Sequence, residues 1–143
     1  MFAQPTKKHM RYLVSAAIVT TFVGVCVAPM AFARITANTI VPVAIVTDNG
    51  RHLIVTGPMA CTESERAYLR VTVTQRSTGA VAEGRTLITC TGDTQHWEVH
   101  ASIQGKEIFQ EGPATAVALG RTTSRGETTD AHQWLVDITL VGE

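Results

Sequence analysis

The chain has 143 residues, with twelve basic and twelve acidic side chains that balance to a formal net charge of zero. That balance lacks the strongly basic footprint of a nucleic-acid-binding domain. Once the N-terminal segment described next is set aside, about 110 residues remain, enough for one domain with a modest core and too few for two.

Lys7, Lys8, His9 and Arg11 precede the apolar run Leu13 to Met30, which ends in Ala31-Phe32-Ala33. A basic start, an apolar stretch and an A-x-A site define a helical secretory signal peptide over residues 1–33, with cleavage expected after Ala33. The competing reading is a retained anchor, because the run approaches the ~20 residues that span a bilayer; Pro29 and the small-residue site favour cleavage. Cys26 follows the bulky Val25, which does not suit a lipoprotein site, and is read as an apolar residue of the discarded segment. Removal takes Lys7, Lys8 and Arg11 and leaves nine basic against twelve acidic residues, a net charge of −3. It also leaves two cysteines, Cys61 and Cys90, and an even pair in an exported chain reads as a disulfide.

From Arg34 to Glu143 the chain shows short runs of Val, Ile, Thr and aromatic residues cut by Gly, Asn, Asp and Pro, the pattern of a single all-β domain. Ile40 to Val46 is a first strand, and Pro42 within it suggests a sheet edge. Asp48-Asn49-Gly50 tolerates positive φ and turns the chain into His52 to Thr56. Tyr68 to Gln75 alternates most clearly: Leu69, Val71 and Val73 share one face, Arg70, Thr72 and Thr74 the other. Val81 to Glu83 extends it briefly, Thr86 to Thr91 forms the next strand, and Gly92-Asp93 turns into Trp97 to Ile103.

Gln104 to Pro113 is expected as a loop whose Ile108 and Phe109 fold back over a sheet edge. Ala114 to Leu119 is a strand of small volume. Arg121 to Asp130 contains no apolar residue and is expected as the most exposed and mobile connection. It leads to a last strand, Trp134 to Val141. Seven strands with regular turn signals predict an antiparallel, immunoglobulin-like Greek-key sandwich, with a small closed barrel as the rival.

The order of a signal peptide, GPMACTE (57–63), an alternating strand, ITCTGDTQHWEVHA (88–101) and GPATAVAL (112–119) resembles small exported bacterial immunoglobulin-like β-sandwich domains of uncharacterised function. The resemblance implies placement outside the cytoplasm and a Cys61 to Cys90 bridge, and it brings no catalytic residues. The tryptophan that true immunoglobulin domains carry between their cysteines is missing here; Trp97 follows the second cysteine.

Cys90, Asp93, His96 and His100 crowd into one short stretch, but a strand places residues i and i+4 about 13 Å apart, so His96 and His100 cannot chelate one ion. No metal or cofactor site is therefore expected. Ser64, Ser77, Ser102 and Ser124 lie in no G-x-S-x-G context, the paired carboxylates fall in polar turns, and no glycine-rich phosphate loop is present, so no catalytic residue is assigned. Binding surfaces remain: the segments Gln104 to Pro113 and Arg121 to His132, and the outward row Arg70, Thr72, Thr74 and Arg76. Trp97 and Trp134 belong to the core. The expected function is that of a secreted or surface-associated non-enzymatic module with a structural or interaction role. Its partner would be a protein or surface, not nucleic acid, and not membrane after cleavage. The alternative is an exported small-ligand carrier with a cleft beside the light strand, or a protease-inhibitor-like protein.

Overall fold

Alternation of apolar and polar residues becomes strand structure along most of residues 35–143, the part described by the structure, a computed structural model. The expected signal segment, residues 1–33, lies outside the described residues. The strands are β1 (Ile35–Asn38), β2 (Val43–Thr47), β3 (His52–Cys61), β4 (Arg66–Gln75), β5 (Ala80–Thr89), β6 (Thr94–Ile103), β7 (Gly112–Ser124) and β8 (Glu127–Gly142). Asp48, Asn49 and Gly50 turn β2 into β3 with positive φ of 49°, 52° and 85°, as their side chains allow.

The expected immunoglobulin-like sandwich is incorrect. The strands form one sheet in the order β1-β3-β2-β8-β7-β4-β5-β6, and a further pairing between β6 and β3 joins it into a closed β-barrel. β1 pairs with the C-terminal part of β3 and β2 with its N-terminal part, so these two share one position and the wall has seven strands. A sandwich and a barrel bury the same alternate side chains, so alternation alone does not separate them. What separates them is whether the outermost strands meet. Here β3 and β6 pair continuously from His52↔Ser102 to Ala60↔Thr94. On its other side β2 runs parallel to β8, from Val43↔Thr139 to Val46↔Gly142. β2 is thus paired on both sides and not an edge, and Pro42 sits just before it with its carbonyl accepting from the Thr139 N–H at 2.9 Å.

Closing so few strands requires tight curvature, and small inward residues permit it: Ala80, Ala82 and Gly84 on β5, and Ala114, Ala116, Ala118 and Gly120 on β7. A Cβ on Gly84 would collide with the carbonyl oxygen of His100, and one on Gly57 with that of Thr39 and with the Trp97 ring. These crossings admit glycine alone. The light strand therefore lets the wall bend. Ala116 and Ala118 belong to one buried cluster with Leu53, Val55, Met59, Leu69, Val71, Val73, Val99 and Leu140. Trp97 is buried in that cluster, and Trp134, half-buried, packs against it.

The segment between β6 and β7 closes one end. Phe109 is buried and its N–H donates to the Gly50 carbonyl at 2.8 Å, while Ile108 stays exposed. Buried Gln75 holds the same segment, its Nε2 donating to the Gln110 carbonyl at 2.8 Å and its Oε1 accepting from the Gln110 N–H at 2.9 Å. Near the other end, the expected mobile connection over 121–130 is instead the tip of the β7–β8 hairpin. Its two-residue turn, Arg125 (φ 52°) and Gly126 (φ 84°), has the mirror-image geometry that suits strand twist. β-branched threonines replace apolar residues here: buried Thr122 hydrogen-bonds Thr129 at 2.9 Å, and Thr129 Oγ1 donates to buried Glu65 at 2.9 Å. Burial raises the Asp130 carboxyl, but the N–H groups of Ile35 and Ala131 and the His132 imidazole outweigh it and hold it below the ordinary carboxylate range.

Cys61 and Cys90 form the expected disulfide, 29 residues apart in sequence and both buried. It ties the end of β3 to the turn after β5, across the start of β6, so it pins the closing ladder at one end. A buried bridge of this kind suits an oxidising, extracytoplasmic compartment. Replacing both cysteines with alanine is expected to lower the unfolding free energy by roughly 3 to 4 kcal/mol, the chain-entropy value for a loop of about 30 residues. Urea denaturation of the oxidised protein and the variant measures this directly; equal midpoints would show that the bridge adds nothing.

Candidate functional site

The inward side chains belong to one buried apolar cluster, and the polar groups open to a ligand stand on the outer wall, where the ladders fix which side chains stand together. On the outside of β4, Arg66, Tyr68, Arg70, Thr72 and Thr74 alternate with the buried Ala67, Leu69, Val71 and Val73. β5 and β7 flank this strand in register: Tyr68 stands between Leu87 and Arg121, and Arg70 between Arg85 and Leu119. Three arginines from three strands therefore share two adjacent rows, and Arg66, between Thr89 and Thr123, heads the next row. The guanidinium carbons of Arg121 and Arg66 lie 5.3 and 6.0 Å from the Tyr68 ring centre, within cation–π range.

Arg70, Arg85 and Arg121 line a groove of about 310 Å³ with Tyr68, Leu119 and Thr86 at its walls, and Arg66 reaches the group through its contact with Tyr68. Arg85 is bound to Glu83 on its own strand at 3.0 Å. Among the described residues Arg66, Arg70 and Arg121 have no carboxylate within ion-pair distance. Arg70 and Arg85 occupy directly opposed positions, an arrangement that costs stability through like-charge repulsion. Tyr68, Leu87 and Leu119 are each about 40 % exposed, so the charges surround an apolar, solvent-facing floor. A wider depression of about 780 Å³ lies on the same wall, lined by Thr74, Arg76, Pro113, Thr115 and Asp137. It carries one charge of each sign and no comparable convergence.

On the closing ladder, one strand beyond β5, a second polar group stands on the outer face. His52 Nε2 lies 3.1 Å from His100 Nδ1, His100 Nε2 lies 2.7 Å from Glu98 Oε1, and Ser102 Oγ lies 3.3 Å from His52 Nδ1. The sequence of serine, imidazole and carboxylate resembles a nucleophile with its base and orienting group. Its surroundings do not match acyl transfer, which needs free N–H donors beside the nucleophile to hold an oxyanion. The two amides after Ser102 are committed: Ile103 N–H donates to the Arg51 carbonyl at 3.1 Å and Gln104 N–H to the Val81 carbonyl at 2.8 Å. Among the described residues no three His, Cys, Asp or Glu side chains converge as a metal cage.

The outward row Arg70, Thr72, Thr74 and Arg76 read from the sequence does lie on one exposed wall, spanning both grooves. Arg85 and Arg121, which complete the cationic group, come from strands whose register no local pattern reveals. The segment 104–113 is an end plug and its continuation into β7, and 121–132 is paired strand apart from its two-residue turn; neither is a free binding loop. His100 points outward as expected and His96 is exposed, while the partner of His100 proves to be His52, far away in sequence. No family model matches this chain, and no curated protein matches it either.

If the opposed arginines are held for binding and not for stability, relieving them should strengthen the fold. Arg70→Thr is expected to raise the unfolding free energy by about 0.2 to 1 kcal/mol, since threonine suits an exposed strand and removes the like-charge pair. A lower urea midpoint for the variant would mean that Arg70 serves the barrel itself.

Proposed function

We propose that the protein is a secreted or surface-associated, non-enzymatic interaction module that binds an acidic polypeptide segment on the wall formed by β4, β5 and β7. The observation that carries this reading is the convergence of Arg66, Arg70, Arg85 and Arg121 around Tyr68 and Leu119, with three of the four guanidiniums lacking a carboxylate partner within the described chain. Guanidinium forks take carboxylates two hydrogen bonds at a time. The exposed Tyr68, Leu87 and Leu119 between them fit the apolar side chains of a peptide better than a uniformly polar polyanion. Aromatic residues and arginine are also the side chains that dominate binding energy at protein interfaces.

β4, at the centre of this wall, is paired along its length with β5 and β7, so recognition there rests on side chains and on a rigid, preformed surface. The buried disulfide supports a place outside the cytoplasm, where such a surface meets other exported or surface proteins.

Fluorescence anisotropy with a labelled, alternating glutamate–leucine octapeptide tests the reading. Binding is expected to weaken with added salt and to fall about tenfold, or ~1.4 kcal/mol, on either Arg70→Ala or Arg121→Ala. The lysine–leucine counterpart should not bind. Affinity unchanged from the wild type in both arginine variants, or binding of a sulfated polysaccharide without the peptide, would overturn the proposal.

A further inference from the structure

The paired histidines on the closing ladder, β3 and β6, are placed for a different chemistry. β3 and β6 pair with Ile54 opposite His100 and His52 opposite Ser102, so the two imidazoles are diagonal neighbours on one exposed face. Their ring centres lie 5.4 Å apart, with the planes inclined at 39°. The facing nitrogens, His52 Nε2 and His100 Nδ1, are separated by 3.1 Å. Two nitrogens bound at ~2.0–2.1 Å to one ion at adjacent square-planar or tetrahedral positions stand about 2.9 to 3.4 Å apart. The pair already has the separation that a shared ion imposes.

The remaining ring nitrogens support the same conclusion. His100 Nε2–H donates to Glu98 Oε1 at 2.7 Å, which leaves the lone pair on Nδ1, facing His52. His52 Nδ1 lies 3.3 Å from Ser102 Oγ, a hydroxyl that donates to it in the metal-free protein and accepts its hydrogen when a cation takes the Nε2 lone pair. A carboxylate or other oxygen that holds the far N–H of a histidine is the outer support found at metal-bound imidazoles, where it fixes the tautomer and raises ligand basicity. A hydrogen on His52 Nε2 makes this contact a hydrogen bond in the metal-free protein, and a cation that displaces it finds both nitrogens at chelating separation. The β3–β6 ladder holds the backbone of both residues in place, so little rearrangement is needed to bind.

We propose that His52 and His100 together chelate one divalent transition-metal ion of borderline character, water completing its coordination, with Glu98 and Ser102 orienting the two rings. Imidazole pairs suit Cu(II), Ni(II) and Zn(II), and Cu(II) binds tightest in that order, so it serves as the probe. The site adjoins the arginine wall, since β6 neighbours β5 and Ser102 pairs with Glu83, but it rests on different side chains and does not depend on the peptide-binding reading.

Titration of the untagged protein with Cu(II), followed by calorimetry and electron paramagnetic resonance, is the test. The expected result is one ion per chain with two equatorial nitrogens in the spectrum. His52→Ala and His100→Gln should each weaken binding at least tenfold. Glu98→Gln should weaken it by about 10- to 100-fold, the usual effect of losing an outer support. His96→Ala, exposed on the same strand but outside the pair, should leave it unchanged. All four positions are at least partly solvent-exposed, and unchanged far-ultraviolet dichroism checks that each variant is folded. Binding that survives both His52→Ala and His100→Gln, a one-nitrogen spectrum, or equal loss in His96→Ala would overturn the proposal.

Discussion

The ladder between β3 and β6 is the constraint on which the rest of the molecule depends. Without it the described chain would be a curved sheet with two open edges, β6 at one end and β3 with its short partners at the other. With it, every long strand has neighbours on both sides, and the apolar face of each is enclosed. An open sheet of this length would expose rows of unpaired amides that invite pairing with other chains, and closure removes them. The disulfide reinforces the same junction, because Cys61 ends β3 and Cys90 precedes β6. Both proposed surfaces follow from closure. It sets His52 against His100, and it makes the β4–β5–β7 wall stiff enough to hold four arginines near one another.

Much of this was legible in the sequence. The alternation in β4 and β6, the turn at Asp48-Asn49-Gly50 and the pairing of Cys61 with Cys90 each depend on local pattern or on simple counting, and each is found in the structure. The choice between sandwich and barrel was not legible. It turns on the meeting of β3 with β6 and of β2 with β8, contacts between residues 34 to 96 positions apart that leave no periodic trace. The light strand 114–119 misled in the same way, since alanines that make room for curvature and alanines that line a cleft look alike in one dimension.

The segment 121–130 misled for a different reason. Its lack of apolar residues suggested a solvated loop, yet Thr122, Thr123, Thr128 and Thr129 are good strand residues, and hydroxyl hydrogen bonds to one another and to Glu65 replace apolar burial. At the arginine wall the outward row of β4 was visible from alternation, whereas Arg85 and Arg121 needed the register of two neighbouring strands. His52 escaped notice altogether, because the cluster of chemistry-bearing residues in the sequence, Cys90 to His100, drew attention to neighbours along the chain and away from neighbours across it.

Closure itself is the claim most directly open to measurement. In the oxidised protein, nuclear Overhauser contacts across β3 and β6 report whether these strands lie side by side. The account predicts cross-strand contacts at Val55↔Val99 and Leu53↔Ala101, together with slow amide exchange along both strands. Absence of those contacts, with fast exchange of the β6 amides on the side facing β3, would show an open sheet and contradict the barrel.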